Sequence, residues 1–225
     1  MDPKDTKTGK GVFITVGTTA FDSLIEALLV PTIIAQLSEL GYDEIRVQYG
    51  KGKYVYDAAF TPELKDMVNE TGISIGGFEY EDSVKITEFI KDADLIISHA
   101  GSGTILDALR YQKAIIVVPN ESLMDNHQAE LAKEMSKQKY VIRGKLDKIA
   151  THIAQAQTYG FRHFPRTGSK TFVELLEDEI EKAEKDKIDP TPVNKNKATY
   201  HQRRYKDCDD WTDMGPEPCG RCFIL

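Results

Sequence analysis

Residues 96–128 read IISHAGSGTILDALRYQKAIIVVPNESLMDNHQ, and this stretch holds two strand-to-turn-to-helix units in succession. The mostly apolar run Asp94–Ser98 has the length of a buried strand, and Ala100-Gly101-Ser102-Gly103-Thr104 is a turn of small residues. Ile105, Ala108 and Leu109 recur at the spacing of one helix face, which predicts a helix over Ile105–Tyr111. Ala114–Val118 is a second apolar run, stopped by Pro119-Asn120; after the loop Glu121–Met124, Asp125 can cap a helix running to about Gln138. In a parallel sheet both turns fall at carboxyl ends of strands, where open α/β sheets bind ligands. Small residues there let an anionic group approach the free backbone N–H groups of a helix N-terminus.

The alternation continues in both directions. Gly11–Val16 is a strand of β-formers ending in Gly17-Thr18-Thr19-Ala20, and Asp22 is placed to cap a helix from Ser23 to about Leu40, with Gly41 as its stop. Glu44–Tyr49 reads as a second strand and Gly50-Lys51-Gly52-Lys53 as a turn. Pro62–Asn69 reads as a short helix, Ile73–Phe78 as a third strand and Ser83–Lys91 as a helix. Beyond the central stretch follow a weak strand at Tyr140–Ile142 and a helix near Lys145–Ala156. Strands alternating with helices predict an α/β fold: a Rossmann-like parallel sheet with helices on both faces and right-handed crossovers, filling residues 11–160.

Outside that domain, residues 1–10 are polar and expected to be disordered. Residues 161–187 include a predicted helix over Gly168–Lys187 whose stripe of Phe172, Leu176, Ile180 and Ala183 could pack on its own sheet or on a partner. Residues 188–225 have Pro-containing turns, few aliphatic residues and no periodicity, the pattern of a disordered tail.

Charged residues at 29% and an apolar fraction of 40% describe a chain with a real core and a solvated surface. A formal charge of −7 without a compact basic patch argues against a nucleic-acid partner. The first ten residues have neither the apolar core of a signal peptide nor the character of a transit peptide. No apolar run approaches the ~20 residues of a membrane-spanning helix. The three cysteines, Cys208, Cys219 and Cys222, all lie in the tail, so the predicted domain has none to pair, which fits a reducing compartment. The expected location is cytoplasmic.

The turn Gly17-Thr18-Thr19 is a second candidate phosphate cradle, with threonine hydroxyls and backbone N–H groups as donors, although an ordinary strand-to-helix turn reads the same. G-x-G-x-x-G at this turn and the G-K-[ST] of a P-loop are both missing, which counts against a nicotinamide enzyme or a P-loop NTPase. Asp107 follows Thr104 by three residues, a capping arrangement, and could alternatively accept two hydrogen bonds from a ribose diol. Gln128 follows Asp125 at the same spacing and could bind sugar hydroxyls. His99, at a strand end, is either a base or a packing residue. No cluster has metal-site spacing, and there is no G-x-S-x-G elbow. The residues by themselves describe an α/β domain for a nucleotide or a phosphorylated ligand.

Three segments carry a resemblance to a known family: Phe13-Ile14-Thr15-Val16-Gly17-Thr18-Thr19-Ala20-Phe21-Asp22, Ile97-Ser98-His99-Ala100-Gly101-Ser102-Gly103 and Leu123-Met124-Asp125-Asn126-His127-Gln128. In order and spacing, over roughly Gly11 to Leu176, the chain resembles the Alg13 family, catalytic subunits of the UDP-N-acetylglucosamine transferase that adds the second sugar of the dolichol-linked oligosaccharide. More distantly it is similar to the donor-binding half of MurG and other GT-B glycosyltransferases. The resemblance implies a UDP-GlcNAc site in which Asp107 binds the ribose and Asn126, His127 and Gln128 meet the donor sugar. It implies that Gly17, Thr18 and Thr19 face the diphosphate and acceptor, and that the turn Ala100, Gly101, Ser102, Gly103 and Thr104 completes the donor site.

The resemblance further implies a split enzyme. A GT-B active site lies between two Rossmann-like domains, and in this family the other half is a membrane-bound Alg14-type subunit on the cytosolic face of the endoplasmic reticulum. Phe172, Leu176 and Ile180 are the candidate docking residues. The implied reaction is inverting transfer of GlcNAc from UDP-GlcNAc to GlcNAc-diphospho-dolichol in a β1,4 bond, without metal or cofactor. His99 is a candidate catalytic base, with the partner or the acceptor side of the cleft as the other source. The terminal Cys222-Phe223-Ile224-Leu225 satisfies C-a-a-X and makes Cys222 a candidate prenylation site, although a chance match is the stronger reading. Two other readings stay open: a stand-alone glycosyltransferase on a soluble acceptor, and a non-catalytic UDP-sugar-binding regulatory module.

Overall fold

The computed structural model describes residues 9–120 and 126–164. Six strands form one sheet: β1 (Lys10–Thr15), β2 (Tyr42–Gln48), β3 (Ser74–Phe78), β4 (Leu95–His99), β5 (Ala114–Val118) and β6 (Ile142–Arg143). Their order is β3-β2-β1-β4-β5-β6 and every neighbouring pair is parallel. The connecting helices are α1 (Asp22–Leu28), α2 (Pro31–Glu39), α3 (Lys53–Ala59), α4 (Pro62–Thr71), α5 (Ser83–Asp92), α6 (Ser102–Arg110), α7 (Asn126–Lys137) and α8 (Ile149–Ala156). This is the expected α/β architecture.

The central strands are apolar at consecutive positions because both faces are covered. Val12, Ile14 and Val16 point to one face, where Leu24 and Ile25 of α1, Ile34 and Leu37 of α2 and Ile153 of α8 bury them. Phe13, Ile96 and Ile115 point to the other, under Ile90 of α5, Ile105 and Leu109 of α6 and Met135 of α7. At the amino ends, Asp94 staples β4 to β1: its carboxylate accepts from the Gly11 N–H at 2.8 Å, and its own N–H donates to the Gly11 carbonyl at 2.8 Å.

The structure corrects several boundaries. The single helix expected from Ser23 to Leu40 is two helices, broken before Pro31. Proline has no N–H to continue α1, and its ring forces the preceding residue out of helical space. Val30 is accordingly extended, with φ −123° and ψ 149°, and Pro31 opens α2. Asp22 does not cap α1; Phe21, whose ring is buried in the core and carries no acceptor, holds the cap position with no side-chain bond. Helix α3 leaves no sequence signal because it buries no residue fully and so has no apolar stripe; the Tyr56 ring meets that of Tyr49 in a tilted pair with centroids 4.8 Å apart. Tyr140 precedes β6 and packs its ring edge-on against Phe164. The predicted helix at residues 145–156 begins as a 3-10 turn over Leu146–Lys148. Residues 1–8, the helix expected at 168–187 and the tail with Cys222 lie outside the described residues, as do the docking candidates Phe172, Leu176 and Ile180.

Candidate functional site

Strand order reverses between β1 and β4: the chain moves outward from β1 through β2 to β3, and in the other direction from β4 through β5 to β6. The turns leaving β1 and β4 diverge there and open the crevice in which doubly wound sheets take their ligands. Polarity follows that edge. Among the described residues the buried polar side chains are Thr15, Gln48, Ser98, His99 and Asn120, all at or just past the carboxyl ends of β1, β2, β4 and β5. Thr15 pairs in register with Gln48 on one side and Ser98 on the other, which forms a polar row across the switch point.

The turn after β1 depends on Gly17, whose φ of +64° is a conformation side chains rarely adopt. Its N–H donates inward to Thr15 Oγ1 at 3.0 Å. The Thr19 hydroxyl donates to the Val16 carbonyl at 3.0 Å, so its proton is committed within the turn instead of being offered to an oxyanion. Thr18 is exposed.

The turn after β4 is shorter than expected. Helix α6 begins at Ser102, so Ser102, Gly103 and Thr104 form its first turn, and the capping arrangement expected between Thr104 and Asp107 is not made. Gly101 stands at the N-cap in extended conformation, with no side-chain bond to the helix. First-turn N–H groups without a capping side chain, at the positive end of the helix dipole, suit an anion. A Cβ at Gly103 would meet nothing within 4 Å, so the space above this end is open. Asp107 follows Gly103 and Thr104 by four and three residues, which puts it on their face, leaning back toward the N-terminus. Its carboxylate meets Arg110 Nη1 at 3.3 Å in a partly exposed pair.

His99 lies between the two turns. Its side chain is 8% exposed, and a Cβ at either Gly17 or Gly101 would collide with the imidazole. Burial pushes its pKa below the ordinary value of 6.5, and attraction to the Thr15 backbone offsets part of that. No partner meets Nδ1 at hydrogen-bonding geometry among the described residues. At neutral pH the ring is therefore neutral, and it is packed as a spacer with little access to a substrate hydroxyl.

Asn126 to Gln128 open α7, which follows β5 at the same edge, but their side chains and Asp125 are outside the described residues. Beside the first turn, a cavity of about 460 Å³ is lined by Phe21, Ser23, Pro119, Asn120, Lys145 and neighbours; none of the predicted site residues is in its described lining. The Asn120 side chain reaches across from β5 to the Ala20 carbonyl at 3.4 Å. Sequence reasoning missed Thr15, Gln48 and Gly50. A shared pattern marks them: Thr15-Val16-Gly17, Gln48-Tyr49-Gly50 and His99-Ala100-Gly101 each end a strand with a polar residue two before a glycine.

Two glycine turns and a helix N-terminus without a capping side chain meet at the switch point of a doubly wound parallel sheet, the place where such sheets take nucleotides and other phosphorylated ligands. The chain belongs to the family of the glycosyltransferase family 28 C-terminal domain, whose model matches residues 11–170. It is 43% identical over 136 residues to the UDP-N-acetylglucosamine transferase subunit ALG13 of Yarrowia lipolytica, covering 60% of this chain and 65% of the relative. The solution structure of ALG13 superposes with a TM-score of 0.56 at 27% identity, over 75% of this chain and 95% of that one. The crystal structure of MurG from Acinetobacter baumannii shares the fold, with a TM-score of 0.52 at 17% identity, and the match spans 76% of this chain and 46% of MurG. The chain spans only 10% of the human ALG13 subunit, at 41% identity. The expected equivalence to one half of a GT-B glycosyltransferase is thereby met in the fold.

Proposed function

We propose that this chain is the catalytic subunit of a two-subunit glycosyltransferase that moves GlcNAc from UDP-GlcNAc to GlcNAc-diphospho-dolichol, inverting to a β1,4 bond. The observation that carries this reading is the pair of turns meeting over His99 beside the uncapped start of α6, in a chain whose relatives carry the name UDP-N-acetylglucosamine transferase subunit. The word subunit in the relatives' name supports a cleft completed by another chain, which we take to be an Alg14-type membrane-anchored partner. On that reading the chain works at the cytosolic face of the endoplasmic reticulum. No helix among the described residues is long and apolar enough to cross a membrane; in this reading the partner supplies the attachment.

In this mechanism the diphosphate lies against the first turn of α6, with Ala100, Gly101, Ser102, Gly103 and Thr104 giving close backbone approach and Asp107 accepting from the ribose hydroxyls. Gly17, Thr18 and Thr19 wall the diphosphate from the β1 side, toward the acceptor, and Asn126, His127 and Gln128 meet the sugar. The α6 dipole acts on the charge that grows on the leaving UDP, where a fixed donor is worth most. The acceptor hydroxyl must lose a proton as it attacks. Burial of His99 disfavours it as that base, so in this reading the proton goes to a group on the partner's side of the cleft.

The test is turnover of UDP-GlcNAc and a GlcNAc-diphospho-lipid by the full chain with and without the partner. Turnover only with the partner, lost in Asp107→Ala, is expected. Turnover by the chain alone would mean that it carries a complete active site. No turnover despite a formed complex and bound UDP-GlcNAc would make it a non-catalytic module.

A further inference from the structure

Three groups outside the predicted site converge on the backbone of the first turn. The Gly17 N–H donates to Thr15 Oγ1 at 3.0 Å, and the same hydroxyl donates to Gln48 Oε1 at 2.6 Å. The amide oxygen can only accept, so the hydroxyl proton must point at Gln48 and its lone pair is left for Gly17. Thr15 is 1% and Gln48 6% exposed, so water does not substitute readily for either bond. Turning the hydroxyl away would leave a buried donor or acceptor unpaired, which gives the relay one direction. Gly50, two residues past Gln48, backs the same turn: a Cβ there would sit 2.9 Å from the Thr19 carbonyl oxygen and 3.1 Å from that of Gly17.

From this geometry we infer that Gln48 is a positioning residue for the ligand-facing turn: through the Thr15 hydroxyl it sets the left-handed bend at Gly17 and so the placement of Thr18 and Thr19. The inference rests on the proposed role of that turn against the diphosphate and acceptor. Gln48 touches no substrate; it orients the hydroxyl that orients the turn. Donor binding at α6 and Asp107 does not pass through this relay, whereas alignment of the leaving group does. Loss of the relay therefore falls on kcat more than on the KM for UDP-GlcNAc, as expected for an interaction used in the transition state.

The experiment compares Thr15→Val, Thr15→Ser and Gln48→Leu in the full chain reconstituted with its partner, and in parallel follows hydrogen exchange of the Gly17 amide in the free chain by NMR. Thr15→Val keeps the shape and removes both bonds; Thr15→Ser keeps the hydroxyl. The expected result is a kcat lowered ~10- to 100-fold in Thr15→Val, below the loss seen when a direct transition-state donor is removed, with KM changed less than ~3-fold. Thr15→Ser should return kcat to within ~3-fold of the original and restore Gly17 protection, and Gln48→Leu should lie between the two. If Thr15→Val does not fold, Gln48→Leu carries the test, because it leaves the Gly17 acceptor in place. Unchanged Gly17 exchange would refute the relay whatever the activity. Faster exchange with unchanged kcat would refute the positioning role while the proposed function stands. A reconstituted original chain without turnover would sink the proposed function and this inference with it, but a Gly17 response would still establish the relay.

Discussion

The turn after β1 uses its polar groups internally, while the helix that follows β4 leaves the N–H groups of its first turn without a capping side chain. In the first, the Gly17 N–H and the Thr19 hydroxyl are both bonded within the protein, and Gly50 and His99 press on the backbone from two sides. In the second, α6 starts without a capping side chain, and the space over Gly103 is clear. A site at a switch point needs both a wall that does not yield and donors that nothing else occupies. The sheet supplies each from a different strand.

Breaking the wall should have the largest consequence. Gly17→Ala forces a side chain into left-handed backbone, at a cost of about 1–3 kcal/mol, and drives a methyl group into the His99 ring, at about 1–3 kcal/mol more. Denaturant unfolding of the full chain should register a loss in that combined range. A Gly17→Ala chain as stable as the original would mean that the turn is soft and the contrast with α6 is false.

The spacer comes next in size, and its effect depends on pH. The folded state holds the His99 pKa below 6.5, so the unfolded chain binds the proton first as pH falls. The stability linked to neutral His99 is therefore complete above about pH 6.5 and is lost as pH drops from there through the depressed folded value. Unfolding free energies measured between about pH 7.5 and 5 should fall with pH in the original chain. In His99→Asn that component of the slope should vanish, although the variant is less stable throughout. An identical slope in both would show that another group is responsible.

Much of this was legible in the sequence because burial on both faces makes strands unambiguous: Ala114–Val118 is read without error, and the sheet class follows from the alternation. Both glycine turns were found for the same reason, since each ends an apolar run. What escaped was tertiary. Nothing local tells whether Thr15 faces solvent or Gln48, 33 residues away in sequence and across the β1–β2 pair. Nothing local tells that His99 would be closed over by Gly17 and Gly101. The break falls at Pro31, a residue plain in the sequence, but apolar periodicity continues on either side of it and reads as one helix. Asp107 shows the opposite case: its capping spacing was real as a pattern but idle, because α6 begins at Ser102 and the carboxylate turns to Arg110 instead.

The smallest stability effect should come from the open turn, with the opposite sign. Gly103 lies inside the first turn of α6 with ordinary helical backbone, and a Cβ there meets nothing within 4 Å. Replacing a helical glycine by alanine reduces the entropy lost on folding, so Gly103→Ala should raise stability by up to about 1 kcal/mol, less if the first turn frays. The same methyl group would project into the space assigned to the diphosphate. Calorimetric titration with UDP-GlcNAc should then show weaker binding in the more stable protein. Mutations at Gly17 and Gly103 would thus move stability in opposite directions, while both harm the proposed site. Should Gly103→Ala bind UDP-GlcNAc as well as the original chain, the ligand does not approach the start of α6, and the division of labour between the two turns has to be redrawn.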